Sequence, residues 1–399
     1  MKKILLAGVC LLLTVGAFAE TKELRSFSMP SPRSRALGGD HVAYAGGVDA
    51  LFVNPAELRR KNEFSVLNLS LSATNPLWIN KVAYELKGGF EPEKVLALIP
   101  TDPMRLPLGL DVQGPLALGF VSGGFGIGVF DRIYLDARIK GLNVELGVNA
   151  DLTMNVGYAY RFDLGDRFKI DAGIGAKIFG RATANVNKGL TELLEDIDGG
   201  FTLDMFGLSK LPLLVGGTAN LGGAVHLSFL PTAFNDDFTV GVVWSDVFSY
   251  AKEVMNLSSY VGLDEDPTWE PSEDVYTIPT SVQIGVSYSF NLGKLLRIAV
   301  MADHNDAVGL CKYIDSTIQE DGAWITMRDP LLDTTVGAEV TLFNIVSVRA
   351  GMRDLLPAVG LGLDLFIFKL DAALYGKELG MYPGDFTTMA LDIGMNFKW

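Results

Sequence analysis

The chain closes on Thr388-Met389-Ala390-Leu391-Asp392-Ile393-Gly394-Met395-Asn396-Phe397-Lys398-Trp399. Side chains along a strand point alternately to opposite faces. Leu391, Ile393, Met395, Phe397 and Trp399 therefore share one face, and Asp392, Gly394, Asn396 and Lys398 share the other. In a soluble sandwich the apolar face would meet a core. In an outer-membrane barrel it meets lipid, and the polar face meets the lumen.

The opposite end of the chain helps to choose between these media. Residues 1–19 read as a secretory signal: basic Lys2 and Lys3, an apolar run Ile4–Val15 too short to span a bilayer, and the cleavage pattern Ala17-Phe18-Ala19. Cys10 follows Val9 and does not match a lipoprotein cysteine. Cleavage after Ala19 would remove it and leave Cys311 unpaired, expected as a buried or inert thiol. No later run of about 18 apolar residues predicts a spanning helix, although the chain is 49% hydrophobic and holds 44 glycines. A formal charge of −14 excludes nucleic acid as a natural partner.

From Asn62 onward the pattern is strand, turn, strand. Leu152, Met154, Val156, Tyr158, Tyr160 and Phe162 alternate with Thr153, Asn155, Gly157, Ala159 and Arg161. After a turn at 163–167 the alternation resumes from Phe168 to Ile178. One face stays uncharged over the roughly 9–11 residues that a tilted strand needs to cross a membrane. The other carries Lys, Asp and Arg, which a wet lumen tolerates. Later strands are expected at 221–229, 238–247, 282–290, 296–304, 332–342, 346–353, 359–365, 368–375 and 390–399. Short turns alternate with long connections at about 185–219, 249–278, 307–331 and 376–389.

With strands at 64–73, 116–121 and 125–139 before these, the count is fourteen, with twelve or sixteen as alternatives. Trp78–Leu86 is assigned to a long outer loop that also holds a helix at Pro92–Ile99. Lys188–Ile197 has leucines at helical spacing. Met255–Asp274 reads as a solvated acidic loop, because it lacks the spacing of a calcium-binding loop.

No enzyme signature emerges. His41, His226 and His304 have no metal-like spacing, no Gly-x-Ser-x-Gly elbow occurs, and the Gly-rich run Gly123–Gly128 lies within strand patterns. No catalytic residue, metal or cofactor is expected. A barrel phospholipase or protease is the form an enzyme would take here.

The leader Thr21–Arg60 is rich in small residues: Arg35-Ala36-Leu37-Gly38-Gly39-Asp40, Ala43-Tyr44-Ala45, and Asp49-Ala50-Leu51-Phe52-Val53-Asn54-Pro55-Ala56-Glu57-Leu58. These runs resemble the N-terminal hatch of the FadL-type long-chain fatty-acid transporter superfamily, and Asn54-Pro55-Ala56 carries most of the match. The runs Gly114–Phe120, Phe125–Phe130 and Glu378–Gly384 resemble a spirochaete-like branch of it. Many relatives carry Gly-Met-Gly-Gly where this chain has Ala36-Leu37-Gly38-Gly39, so local packing is expected to differ.

The resemblance implies an all-β fold: a transmembrane antiparallel β-barrel of about 14 strands (62–399), with an N-terminal hatch (20–61) in the lumen. It implies uptake of long-chain fatty acids or similar hydrophobic, detergent-like molecules by a monomer in the bacterial outer membrane, with lateral exit. Related PorV-type barrels imply an alternative, a protein-interaction or surface-attachment platform. The terminal aromatic residue resembles the signal read by barrel-assembly machinery, and outer-membrane lipid is the other implied partner. The hatch motif is Gly38, Gly39, Asp49, Asn54, Pro55 and Ala56. Gly123 and Gly124 mark either a wall kink or a turn. Ligand-binding residues are not assigned.

Overall fold

The computed structural model describes residues 21–85, 105–189, 192, 211–230, 235–257, 272–293, 295–311, 330–379 and 382–398. The signal at 1–19, the helix expected at 92–99, nearly all of the helical part of 188–197, the centre of the acidic run, 380–381 of the ending motif and Trp399 lie outside the described residues.

Strand β1 is Thr21–Glu23. Then follow β2 (Glu63–Thr74), β3 (Arg105–Ser122), β4 (Phe125–Lys140), β5 (Asn143–Asp163), β6 (Phe168–Gly189), β7 (Pro212–Leu227), β8 (Asp237–Ser245), β9 (Tyr250–Asn256), β10 (Val275–Thr277) and β11 (Ser281–Leu292). The series ends with β12 (Leu296–His304), β13 (Thr334–Leu342), β14 (Val346–Arg353), β15 (Leu356–Leu365), β16 (Phe368–Glu378) and β17 (Thr387–Lys398).

Antiparallel pairing runs in order from β2 to β8, passes to β11, and continues to β17, which pairs back onto β2 through Ala390↔Thr74 to Lys398↔Ser65. Leaving aside β1, β9 and β10, this is a closed ring of fourteen strands with no free edge. Strand β9 continues the β8 row along β7, β10 pairs with β9, and β1 adds to β10 in parallel.

Burial is inverted relative to a soluble protein. On β5, Leu152, Met154, Val156, Tyr158, Tyr160 and Phe162 are exposed, whereas Thr153 and Asn155 are buried. On β17, Ile393 is 54% exposed and Asp392 0%. An apolar face turned outward around a closed ring is stable only against lipid. The chain is a transmembrane β-barrel of a bacterial outer membrane.

Two expectations need correction. The strands on one side are taller than the membrane requires: β5 has 21 residues and β6 has 22. Residues 212–219, 250–256 and 275–277, expected in loops, are strand. The ladder itself continues past the expected strand ends, as in Ala150↔Ala182 and Leu214↔Glu253, where strict apolar–polar alternation is lost. The loop end also has tight connections of its own, Gly141-Leu142 and Asp354-Leu355, the latter with both residues at positive φ.

Two helices are described up to Glu85, α1 (Pro32–Ala36) and α2 (Pro76–Glu85). Trp78, assigned to the outer loop, lies on α2 and packs against buried Leu106, Ile139 and Val144. Cys311, expected as a buried or inert thiol, is exposed.

Candidate functional site

Residues 24–60 lie inside the ring. Ser31 caps α1 by accepting the Ser34 N–H at 3.2 Å, and Pro32 opens the helix with φ already suited to it. Gly38 ends it at φ +88, where the Gly39 N–H closes back on Ser34 O at 2.9 Å. A Cβ at Gly38 would lie 2.4 Å from Met352 O. Gly39 lies against Thr335.

Asn54 caps a second turn, the 3-10 helix Pro55–Arg59. Its Oδ1 accepts the Ala56 N–H at 3.0 Å, and its Nδ2 donates to Val42 O at 2.8 Å. The Asn54-Pro55-Ala56 backbone presses on inward glycines of β6 and β7. A Cβ at Gly173 would lie 2.3 Å from Ala56 N, and one at Gly222 2.1 Å from Asn54 Oδ1. The same device recurs on β14, where a Cβ at Gly351 would lie 2.2 Å from the Leu37 carbonyl carbon.

The motif residues named from sequence therefore form two contact points, not one cluster. Gly38 and Gly39 meet β13 and β14, whereas Asn54, Pro55 and Ala56 meet β6 and β7. Asp49 lies in the 3-10 turn Gly47–Leu51, where its carbonyl accepts the N–H of Phe52 and Val53. Gly123 and Gly124 form the β3–β4 hairpin turn at φ +60 and +91, and Arg59 donates to Gly123 O at 2.7 Å.

Inward-facing charge holds the segment. Glu339, 1% exposed, takes Arg33 Nε at 3.0 Å, Arg349 Nε at 2.6 Å and Arg297 Nη2 at 2.7 Å, together with the Tyr44 hydroxyl at 3.3 Å. Arg35 bridges Asp111 and Asp392, the latter at 3.0 Å, and Arg132 grips Asp111 from the other side at 2.8 Å. His41 pairs with Asp303, whose second oxygen accepts the Val42 N–H at 2.8 Å. Buried Glu57 contacts Arg60, and His226 lies between Asp171 and Asp237 at 3.2 and 3.3 Å.

Within the segment, burial and the nearby Glu63 raise the Asp49 carboxyl above its ordinary value, against the pull of Arg33. Burial likewise raises Glu57, opposed by Arg60 and His226. For Arg33 burial works against the charged form, and Glu339 more than reverses that.

The segment separates two spaces. The one at the loop end is about 1250 Å³ and is lined by Arg25, Arg132, Arg181, Tyr134, Tyr276 and Lys377 among others. The one at the turn end is about 620 Å³, more polar, and reaches Asp49, Asn68 and Met395.

The ring has one sharp irregularity, and it flanks both spaces. The β2–β3 pairing stops at Ser65↔Gly119 and resumes at Ser70↔Gln113. On its other edge β3 takes four steps, Gln113 to Ala117, against two on β4, Arg132 to Phe130. Gly114 sits at φ +81, and Pro115 has no N–H to give to a ladder. Side-chain alternation fails on both strands: Pro115 and Leu116 are both exposed, and Leu67, Asn68 and Leu69 are all half-buried. On the inner side Gln113 Nε2 donates to Pro30 O at 3.0 Å, which ties the break to the segment.

Sequence reasoning treated the inward charges as lumen lining and assigned no role to Gly114-Pro115-Leu116. The signals were present: Gly114-Pro115 abutting the strand expected at 116–121, and Arg33, Arg35 and Arg60 in a leader followed by strands with inward Asp and Glu.

No family model and no curated protein matches the chain. Among solved structures, the chain is similar to a TodX deltaS2S3 mutant monoaromatic hydrocarbon channel (10% identity, 92% of this chain and 97% of that one, TM-score 0.44). It is also similar to the Pseudomonas putida toluene transporter TodX (10%, 94% and 99%, 0.40) and a Pseudomonas aeruginosa FadL homologue (12%, 93% and 97%, 0.37).

Proposed function

We propose that this barrel admits hydrophobic small molecules, long-chain fatty acids or similar amphiphiles, across the outer membrane. In this reading residues 20–61 act as a hatch and the solute leaves sideways through the wall. The observation that carries it is the β2–β3 break, placed where the interior spaces meet the lipid-facing wall. A hydrophobic solute gains nothing from a charged, watery lumen, but gains by passing into lipid. Gly38, Gly39, Asn54, Pro55 and Ala56 shape the hatch by close backbone packing, and Asp49 lines its turn-end face.

The register supplies the test. Deleting Gly114 and Pro115 removes the two extra residues of β3 and restores its pairing with β4. Cells lacking the native gene and carrying the wild-type chain should take up labelled oleate faster than empty-vector cells. The deletion should abolish that gain while heat-modifiable migration shows an intact barrel. Oleate uptake by the wild type equal to that of empty-vector cells would sink the transport reading. A stable protein partner on co-purification would then favour the platform reading. Full uptake by an intact deletion variant would sink the lateral route alone.

A further inference from the structure

The outward face of the wall carries one anomaly. Counting about eleven residues up each wall strand from its short turn, the outward side chains are mostly apolar or small; polar exceptions include His304 and Glu378 at the far ends of β12 and β16, and Asp131 within β4. On β4 that face reads Phe125, Ile127, Val129, Asp131, Ile133 and Leu135. Ile133 and Leu135 are 48% and 39% exposed, as lipid-facing residues should be. Among the described residues Glu378, the eleventh residue of β16, shares this parity, but its carboxylate accepts the N–H of Gly384 and Phe386; Asp131 is the acid in the middle of the wall. Acidic groups are unfavourable there, and intramembrane ionisable residues are rare unless they serve a function.

Asp131 lies between Phe130↔Ala117 and Arg132↔Gln113, directly opposite the extra residues of β3. Its carboxyl group lies near the backbone N–H of Leu116, inside the break, and near its own. Its Oδ1 is buried and has no hydrogen-bond donor. A buried acceptor left unmet is costly, and here it stands where the wall is open.

We propose that Asp131 is a specificity-determining residue of the exit: its Oδ1 accepts a hydrogen from the polar head of the departing solute. This inference rests on the lateral route proposed above and names the solute class more narrowly. A neutral head with an O–H, such as an alcohol, a phenol or a protonated acid, satisfies the acceptor. A hydrocarbon leaves it unmet, and an ionised carboxylate is repelled by it. Carboxylate ligands therefore leave in their protonated form.

The experiment compares initial uptake of labelled 1-dodecanol, methyl dodecyl ether and dodecane by cells expressing the full chain or the variants Asp131→Leu and Asp131→Asn. Loss of one hydrogen bond to a charged acceptor predicts about a tenfold fall for dodecanol in Asp131→Leu. Ether and dodecane uptake should be unchanged, and Asp131→Asn, which keeps an acceptor oxygen, should restore most of the loss. An equal fall for all three probes would make Asp131 a purely structural latch, and no change for any would remove it from the route. Either overturns the proposal.

Should Asp131→Leu fail to assemble, Asp131→Asn is compared with wild type on labelled dodecanoate at pH 8. Uptake should rise when the charge is removed, and an unchanged rate overturns the proposal. If the wild type carries no probe above empty-vector cells, transport itself fails, a result distinct from loss of selectivity.

Discussion

Glu339→Gln should loosen the luminal segment without opening the barrel. Glu339 is the common acceptor of three guanidinium groups, but these do not depend on it equally. Arg349 also reaches Asp371 at 2.6 Å, and the Arg297 side chain is 40% exposed, so water screens much of its share. Among the described residues Arg33 forms its ion pair with Glu339, with Asp49 a lesser charge nearby and a face contact with the Tyr44 ring at 5.1 Å. Leaving one buried charge uncompensated costs roughly 3–5 kcal/mol. Gln still accepts hydrogen bonds, so the lower end applies, about 3 kcal/mol, or on the order of a hundredfold in the segment's opening equilibrium. Hydrogen exchange resolved to short peptides reads this directly. Amides of the α1 turn, among them Leu37 and Gly39, should exchange about a hundredfold faster, whereas ladder amides of β13 and β14 keep wild-type protection. Adding Arg33→Met should recover much of the loss, because an apolar replacement of the whole pair is close to neutral. Unchanged exchange in α1 would refute the assignment of Glu339 as the anchor. Equal loosening of β13 and β14 would refute the independence of segment and wall.

Asn54→Ala removes a cap and the bond to Val42 O, and should destabilise the segment by about 2 kcal/mol, seen as faster exchange at Ala56 and Glu57. Gly351→Val sets a side chain into the Leu37 backbone, and trypsin should then cut the segment in the folded barrel while sparing it in wild type. Ile393→Arg places charge on the lipid face and should lower the urea midpoint by an amount equivalent to roughly 2–4 kcal/mol. Asp49 and Glu57 have carboxyls raised in the folded state, so the folded segment binds more protons than the free one. Its seating should therefore weaken as pH rises from the ordinary carboxylate range through their raised values. Asp49→Asn should flatten that dependence in exchange measured between pH 4 and 8.

The ring was legible because its rule is local. Each ring strand from β5 to β17 repeats apolar-out, polar-in; eleven such strands were countable from turns such as 163–167 and 343–345, and three before them brought the count to fourteen. The segment's location came from resemblance, and its anchors were not visible. Arg33 and Glu339 are 306 positions apart, and nothing near either one marks the other. The same holds for His41 with Asp303, and for Arg35 with Asp111 and Asp392. Alternation reports only that a residue faces inward, not whether it meets water or a partner. The break was written in the sequence as Gly114-Pro115, but a proline in a strand reads equally as an edge, a bulge or an end. Only pairing on both sides of β3 separates these. Asp131 was visible as a charge on an apolar face, yet its meaning depends on the bulge opposite.

The energetics of the segment bear on which route a solute can take. A passage straight down the barrel would need residues 24–60 to leave the lumen. That means separating the ionic contacts at Glu339, at Asp111 with Asp392, at Asp303, and between Arg60 and Asp237, most of them buried. Even at the low end of roughly 3 kcal/mol for each separated site, the sum is on the order of 10 kcal/mol. A solute of about twenty heavy atoms supplies only about 6 kcal/mol of binding free energy at the efficiency of drug-sized ligands. A ligand can shift an equilibrium by no more than its differential affinity for the two states. Ejection of the segment by solute is therefore excluded on these magnitudes, whereas a local shift at Pro30, held to the break by one hydrogen bond from Gln113, is within reach. On the proposed lateral route the segment need not leave the lumen; it has only to move where it touches β3.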